Sequence, residues 1–346
     1  MFTNVVIPVR EISAVGEARR ASARLAEAAG MGETDRGRLA IVVTELATNL
    51  VRHARGGGEL LLGATAVPGG VPGGAGPFVE VVVTDTGPGM PDVRRCFDDG
   101  FSTGGTPGTG LGAVRRLSES LDVYSAASGT TLWVRVGSTD SSGTRDDGCR
   151  VGGLSVPAPG ETACGDAWRV AGGNDGLIAL LVIDGLGHGP LAAGAAQAGC
   201  DSFAADPFAA PRAVVERMHR AMAGTRGAAV AVARLDPVAG TLAYAAVGNI
   251  AGTLLGAGGA SRGLFSHNGT VGHQVRKVQE FEYPWAADSR LVLHSDGLQT
   301  RWALDRYPGL AARHPAVLAG VLYRDFRRGR DDATVVAVGP FGGGML

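Results

Sequence analysis

Lysine is almost absent from this sequence, because Lys277 is the only lysine among 32 basic residues. A Walker A loop requires a Gly-Lys-Ser/Thr sequence, and a eukaryotic-type protein kinase requires a strand lysine that contacts the phosphates. Lys277 is far along the chain from every glycine-rich loop. Both of these classes are therefore excluded, and a nucleotide site in this chain would have to use other residues.

Cysteine is also scarce, and the spacing of the four cysteines excludes two common roles. No pair has the Cys-x-x-Cys spacing of a zinc ribbon or a thioredoxin motif. We therefore expect free thiols in a reducing cytosol. The cysteines are Cys96, Cys149, Cys164 and Cys200.

Long hydrophobic runs and an excess of one charge are the remaining absences. The N-terminus has no charged region followed by an apolar stretch, and no apolar run reaches about eighteen residues, so neither a signal peptide nor a membrane span is expected. Basic and acidic residues number 32 and 33, which argues against a nucleic-acid partner. These observations predict a cytoplasmic protein that binds neither membranes nor nucleic acids.

The length of 346 residues and a hydrophobic content of 45% suggest two folded domains. A polar Gly/Ser-rich stretch over residues 138–150 predicts a linker between a domain at 1–137 and a domain at 151–340. A second Gly/Pro-rich stretch, Val67–Pro77, is interpreted as a long hairpin loop inside the first domain. Apolar spacing predicts helices over Arg38–Ala54 and around Leu111–Leu121. Both domains read as α+β.

The helix predicted over Arg38–Ala54 carries three polar residues on one stripe. Glu45, Asn49 and His53 are four residues apart, so successive positions rotate by only about 40° around the helix. This spacing alone is more typical of the solvated face of an amphipathic helix. The surrounding sequence has to decide between a site and a surface.

Two glycine-rich segments follow this helix in the order that a nucleotide pocket requires. Asp85 ends an apolar strand and is followed by Gly87 and Gly89, so its carboxylate can accept a hydrogen bond from an adenine amino group. The segment Gly108–Gly112 then opens a helix, whose backbone N–H groups can bind phosphate. The three elements together predict a nucleotide site.

Residues 1–137 resemble the GHKL ATPase superfamily, and within it the anti-sigma-factor serine kinases of the RsbT and RsbW type. The resemblance implies a Bergerat-type α/β sandwich that binds ATP with Mg²⁺. It implies that Asn49 ligates the Mg²⁺, that Asp85 recognises adenine and that Glu45 is the general base for the acceptor serine. The other positions that the resemblance assigns to ATP binding are His53, Gly87, Gly89, Ser102, Thr103, Gly108, Thr109, Gly110, Leu111 and Gly112.

The second domain has aspartates at the ends of predicted strands. A single Asp-Gly pair after a strand is usually a turn. Four aspartate positions in one domain, three of them next to apolar strands, instead indicate a gathered set of carboxylates. Oxygen ligands suit Mg²⁺ or Mn²⁺, and two such ions can activate a water. The aspartate positions are Asp166, Asp184, Asp296 and the pair Asp331-Asp332.

Residues 151–340 resemble the SpoIIE branch of the PPM protein phosphatases, especially the small RsbX-like members. The resemblance implies a PPM-type β-sandwich flanked by helices, with two Mn²⁺ or Mg²⁺ ions. Asp184 would bridge the ions and the Gly185 carbonyl would bind one of them. Asp166, counted with the catalytic residues, would bind metal-coordinated water. The second ion would be held by Asp296 and by Asp331, or by Asp332 in place of Asp331.

The two resemblances together imply a bifunctional regulator that adds phosphate to a serine and removes it. The implied substrate is a STAS-domain antagonist of an anti-sigma factor, with a sigma factor or a downstream phosphatase as a further partner. Two alternatives stay open. The first is a non-catalytic protein that sequesters a partner when ATP is bound, and the second is a phosphatase that is regulated by ATP binding.

Overall fold

The computed structural model describes residues 3–65, 76–98, 110–137, 149–173, 176–256 and 260–340. These residues form two compact units, an N-terminal unit between Asn4 and Thr144 and a C-terminal unit between Arg145 and Phe341. Most of the predicted linker at 138–150 and of the predicted hairpin loop lies outside the described residues. No helix in these described ranges is long and apolar enough to cross a bilayer.

The N-terminal unit is an antiparallel five-stranded sheet with helices packed on one face. The strands follow the order β1-β2-β3-β5-β4. Its elements are β1 (Val5–Val9), α1 (Ser13–Ala28), α2 (Glu33–His53), β2 (Gly58–Thr65), β3 (Phe78–Asp85), α3 (Val93–Cys96), α4 (Gly110–Leu117), β4 (Ser120–Ala126) and β5 (Gly129–Gly137).

Helix α2 is the central helix of this unit. Its buried stripe includes Leu39, Val43 and Leu50, and it packs with α1 and α4 against the sheet in one hydrophobic core. The helix begins five residues before the predicted start, because Gly32 is the N-cap and two acidic residues occupy the first turn. The apolar spacing therefore identified the helix and its buried face, but not its first residue.

The helix predicted around Leu111–Leu121 is shorter than expected. Helix α4 ends at Leu117, and strand β4 begins at Ser120. Leu121 and Val123 alternate with polar neighbours and face the helices. Pairing with β5 supplies the backbone hydrogen bonds of this segment, so the strand replaces the last turn of the predicted helix.

The C-terminal unit is a sandwich of two antiparallel five-stranded sheets. The first sheet has the order β15-β10-β9-β8-β7 and the second β12-β11-β16-β17-β6. Its elements are β6 (Cys149–Val156), β7 (Asp166–Gly172), β8 (Ile178–Gly185), α5 (Pro190–Ala205), α6 (Pro211–Ala221), β9 (Ala228–Asp236), β10 (Thr241–Val247), β11 (Ala251–Leu255), β12 (Ser261–Gly263), β13 (Gly269–Thr270), β14 (Gln274–Val275), β15 (Phe281–Pro284), β16 (Arg290–His294), α7 (Pro315–Phe326) and β17 (Ala333–Pro340).

Strand β8 shows how this sandwich produces a continuous apolar run. Ile178, Leu180 and Val182 face the second sheet, whereas the odd-numbered residues between them pack against α5 and α6. Helix α7 covers the outer face of the second sheet. Because both faces of β8 are buried, the strand has no polar alternation until it reaches Asp184. Asp184 continues the even-numbered series, so the strand delivers its carboxylate to the edge between the two sheets.

Candidate functional site

The polar stripe of α2 approaches the N-terminus of α4. Glu45 and Asn49 are half-buried, and His53 is exposed. A Cβ atom built on Gly110, the first residue of α4, would lie 2.6 Å from Glu45 Oε2. A side chain at this position would displace the end of the Glu45 side chain, so the glycine allows Glu45 to lie beside the first turn of the helix.

Asp85 lies at the end of β3, and its carboxylate is oriented by backbone groups. Its Oδ1 accepts hydrogen bonds from the N–H of Gly87 (2.7 Å) and of Thr130 (3.3 Å). A Cβ on Gly87 would lie 3.0 Å from Asp85 Oδ1 and 3.3 Å from the Cα of Ala54, which follows α2. The turn after Asp85 therefore lies against the C-terminal end of α2, where a carboxylate of this kind can accept a hydrogen bond from an amino group.

The rest of this turn is attached to the β4–β5 hairpin. Gly89 has φ +73°, and a Cβ on it would lie 2.2 Å from the carbonyl oxygen of Ala126. The N–H of Met90 donates to Ser125 Oγ at 2.7 Å. Only glycine fits this left-handed position so close to another backbone, and the contact determines the path of the loop after Asp85.

The N-terminal site residues of the described part are thus brought together along α2. One end of its polar stripe meets the first turn of α4, which contains Gly110, Leu111 and Gly112, and the other end meets the turn after Asp85. Asn49 lies between these two contacts in the helix. Four predicted ATP-binding residues lie outside the described residues, namely Ser102, Thr103, Gly108 and Thr109.

In the C-terminal unit, Asp166 and Asp184 are register partners on β7 and β8. Asp166 is only 1% exposed, and its Oδ2 accepts a hydrogen bond from Ser295 Oγ at 2.6 Å. Ser295 Oγ in turn accepts the N–H of Thr334 at 3.0 Å. These contacts join the two sheets at the edge where the aspartates lie, and they hold the Asp166 carboxylate in one orientation.

The carboxylates are crowded at this edge, and burial and this crowding raise the pKa values of Asp166 and Asp184. Burial raises the pKa of Asp166 well above its ordinary value, and the Asp184 carboxylate raises it further. Burial and the carboxylates of Asp296, Asp331 and Asp332 raise the pKa of Asp184 from 3.8 to about 7. Like charges in one place favour the protonated forms, and a bound divalent cation would relieve this repulsion.

The neighbours Asp331 and Asp332 have different surroundings. Asp332 is buried, and its two carboxylate oxygens accept hydrogen bonds from the N–H groups of Ala158 (2.7 Å) and Gly165 (2.8 Å). Asp331 is exposed and accepts the N–H of Asp332 at 2.9 Å. Asp332 therefore holds two loops together, and this arrangement favours Asp331 as the metal ligand of the pair.

Asp296 has a partner to which the sequence analysis assigned no role. It is exposed, and its Oδ2 accepts a hydrogen bond at 2.8 Å from Nδ2 of Asn249, which follows β10. The amide orients the carboxylate without adding charge. The available signal was the segment Val247-Gly248-Asn249 at the end of an apolar strand, which resembles a segment of the SpoIIE branch but by itself is typical of an ordinary turn.

Gly185 lies in a backbone crossing too tight for a side chain. A Cβ on it would lie 2.5 Å from the carbonyl oxygen of Ala192 and 3.0 Å from that of Gly165. His188, farther along the same loop, is exposed, and its Nδ1 lies 2.7 Å from Glu161 Oε1. This pair links the loop after β8 to the segment before β7.

The residues at this edge fit hydrated ions better than a closed metal cage. Among the described residues, no three His, Cys, Asp or Glu side chains converge closely enough to enclose one ion. Mg²⁺ commonly keeps several waters and takes only one or two carboxylates. The donor set of Asp184, Asp296 and Asp331 with the Gly185 carbonyl consists entirely of oxygen, which suits Mg²⁺ or Mn²⁺.

The fold and these sites define a class of protein that joins a GHKL-type ATPase domain to a PPM-type phosphatase domain. Residues 9–136 match the histidine kinase-like ATPase domain family, and residues 174–340 match the Stage II sporulation protein E (SpoIIE) family. The chain belongs to the histidine kinase-like ATPase family through its N-terminal region and carries a SpoIIE domain in its C-terminal region. Both resemblances predicted from the motifs are confirmed.

Two relatives from Bacillus subtilis (strain 168) each correspond to one region of the chain. The serine/threonine-protein kinase RsbT is 34% identical over 123 residues, which are 34% of this chain and 87% of RsbT. The phosphoserine phosphatase RsbX is 27% identical over 142 residues, which are 40% of this chain and 69% of RsbX. The chain is thus similar to a kinase and to a phosphatase that are separate proteins in that organism.

A solved structure from work on the bacterial stressosome, described as a modular system adapted to control secondary messenger signaling, is also similar. It has 29% sequence identity and a TM-score of 0.51, and the match covers 55% of this chain and 98% of the other. These coverages show that the similarity concerns one part of this protein and nearly all of the solved chain.

Proposed function

We propose that this chain phosphorylates and dephosphorylates a serine of one small STAS-domain antagonist protein. The observation that carries the proposal is that one chain contains both the candidate kinase residues and the candidate phosphatase carboxylates, and that each set lies together in its own unit. Glu45 lies beside a helix N-terminus in the N-terminal unit, and the carboxylates around Asp184 are gathered at one edge of the C-terminal unit. A sigma factor or a downstream phosphatase would be a further partner in such a circuit.

In the kinase reaction, Glu45 accepts the proton of the attacking serine hydroxyl. Its carboxylate lies next to the first turn of α4, whose backbone N–H groups would face the phosphates. Asn49 would hold Mg²⁺ through its amide oxygen, and Asp85 would accept a hydrogen bond from the adenine amino group. Phosphoryl transfer depends mainly on such positioning and charge neutralisation, so the polar stripe of α2 supplies what the reaction needs.

In the phosphatase reaction, Asp184, the Gly185 carbonyl, Asp296 and Asp331 would hold two Mn²⁺ or Mg²⁺ ions. When bound, these ions supply an activated water and neutralise the phosphoryl charge. Asp166 would orient that water, and its own carboxylate is held by the Ser295 hydroxyl. The domain assignment 1–137 and 151–340, with its linker, belongs to the same proposal.

The test follows the mass of the substrate through both reactions. A STAS-domain protein from the genome that encodes this chain is incubated with Mg·ATP and the Asp184→Asn variant, and wild-type chain with Mn²⁺ is added afterwards. We expect a gain of one phosphate and then its loss by intact-mass spectrometry. Glu45→Gln, which keeps the size of the side chain, should abolish the gain without abolishing the loss.

Two outcomes would contradict the proposal. If no phosphate appears although ATP binds, the N-terminal unit acts by sequestering a partner or by regulating the phosphatase. If phosphate appears but wild-type chain with Mn²⁺ does not remove it, the two reactions do not share a substrate.

A further inference from the structure

An open groove of about 1030 Å³ lies in the C-terminal unit beside the loop that follows β8. The loop continues directly from Asp184 and Gly185, so the first residue that lines the groove, Leu186, immediately follows the proposed metal ligands. Its walls come from this loop, the start of α5, the turn before β9 and the β13–β14 hairpin. The residues that matter for its chemistry are Leu186, Leu191, Arg226, Thr270, His273 and Gln274.

Two large apolar side chains stand on one wall of this groove. Leu186 is 46% exposed and Leu191 is 64% exposed, although most large apolar residues of the described chain are buried. Scattered exposed leucines need no explanation, but these two line the same concave surface. Their burial against an apolar residue of a bound segment would be favourable.

A positively charged side chain, Arg226, also lines this groove. Arg226 is exposed, and its Nη1 lies 3.1 Å from the position of a Cβ built on Gly187. No carboxylate in the described part of the chain forms an ion pair with it. Arg226 thus offers its charge to the groove from a point next to the loop that carries Leu186.

The position of this cation relative to the loop is set by the backbone. The N–H of Leu186 donates to the carbonyl oxygen of Gly227 at 3.0 Å. His273, which also lines the groove, has its Nε2 at 2.9 Å from the carbonyl oxygen of Thr225. The backbone next to Arg226 is therefore attached to the loop that continues from Asp184 and Gly185.

We propose that this groove binds the substrate segment next to the phosphoserine, and that it selects a segment with an apolar residue and an acidic residue. The apolar residue packs against Leu186 and Leu191, and the acidic residue pairs with Arg226. The positive charge of Arg226 favours an acidic residue in the bound segment. The groove is continuous with the loop after Asp184, which favours a segment that adjoins the phosphoserine. The inference rests on the phosphatase activity proposed above and names the chemistry of its substrate.

The experiment measures peptide preference with the full chain and Mn²⁺. Four phosphoserine peptides combine glutamate or lysine flanks with leucine or serine at a neighbouring position, and kcat/KM is measured for each. We expect wild-type chain to prefer the peptide with glutamate and leucine. Ratios of kcat/KM between peptides are used because a general loss of activity cancels in them.

The charge variant and its matched control isolate the role of the arginine. Arg226→Glu should lower the glutamate-to-lysine ratio by about threefold to tenfold, because attraction is exchanged for repulsion at an exposed site. Arg306→Glu makes the same charge change on an exposed residue outside the groove and should leave the ratio unchanged. Leu191→Ser should lower the leucine-to-serine ratio and leave the charge preference in place.

Each contrary result identifies a different error. Equal kcat/KM for all four peptides, or equal ratios in Arg226→Glu and Arg306→Glu, would overturn the groove proposal while leaving the phosphatase function intact. A Leu191→Ser variant that changes only the oligomeric state in sedimentation would show that a second copy of the chain covers the groove. Failure to hydrolyse any peptide or p-nitrophenyl phosphate would overturn the phosphatase function and the groove proposal together.

Discussion

Replacement of Asp184 by asparagine should stabilise the metal-free protein, although it removes a proposed metal ligand. The carboxylate of Asp184 lies among those of Asp296, Asp331 and Asp332, and together with burial they raise its pKa from 3.8 to about 7. The folded state therefore binds the proton more tightly than the unfolded state does. It follows that the contribution of Asp184 to the free energy of unfolding decreases as pH rises from about 4 to about 7 and is constant above that range.

The size of this effect follows from the pKa difference. A shift from 3.8 to about 7 corresponds to about 4 kcal/mol of lost stability at pH 8, at about 1.4 kcal/mol for each pKa unit. Asparagine has nearly the same shape and no charge, so Asp184→Asn should recover up to that amount at pH 8. At pH 5 the wild-type carboxyl is mostly protonated, and the two proteins should differ much less.

The assay is calorimetric unfolding of the full chain in EDTA at pH 5 and pH 8. The transition of the C-terminal unit is identified in wild-type chain as the one that Mn²⁺ shifts upward, and this shift should be lost in Asp184→Asn. Asp305→Asn removes the same charge from an exposed residue away from the carboxylates and should change neither transition. Equal stability of Asp184→Asn and wild type at pH 8, or a gain of the same size at pH 5, would refute the reasoning.

Three further predictions concern other residues of the two units. Asn249→Ala should weaken Mn²⁺ binding by about tenfold in calorimetric titration, because the carboxylate that it orients loses its hydrogen bond; unchanged affinity would contradict this role. Gly110→Ala should abolish the proposed kinase activity, measured as phosphate gain by the substrate, since its methyl group displaces the Glu45 carboxylate. Gly37→Ala, which has open space around it, should raise stability by about 0.5–1 kcal/mol and leave that phosphate gain unchanged. Asp332→Asn should destabilise the C-terminal unit by about 1–3 kcal/mol in urea unfolding, because an amide cannot accept both backbone N–H groups. Asp331→Asn should mainly weaken Mn²⁺ binding. The reverse pattern would exchange the roles assigned to the two aspartates.

Much of the fold could be predicted from local patterns. The apolar stripe of α2 and the fully apolar run of β8 both follow from the faces that these elements bury. The error at α4 shows the limit of such reasoning. Leu117 and Leu121 are four residues apart and suit one helical face, but pairing with β5 makes Leu121 part of a strand. That pairing is a contact with a later segment, which a local window does not contain.

In the candidate sites, too, local sequence patterns predicted some features and contacts between distant segments decided others. The order of the motifs predicted candidate aspartates, glycines and amides for each site, because each motif is local in sequence and its chemistry depends on residue type. The assignment between Asp331 and Asp332 could not be made that way. Asp332 is held by the N–H groups of Ala158 and Gly165, more than 160 residues earlier in the chain.

The sequence by itself determined the two families, the apolar strands and the carboxylates at their ends, because these depend on residue type and on spacing along one segment. Only the tertiary structure decided that Asp166 lies opposite Asp184, that Asn249 orients Asp296 and that Arg226 meets the loop after β8. These contacts depend on strand register and on the packing of segments that are far apart in the chain. Their geometry exists only once the sheets have formed, and it distinguishes a candidate metal ligand from a residue that holds a loop.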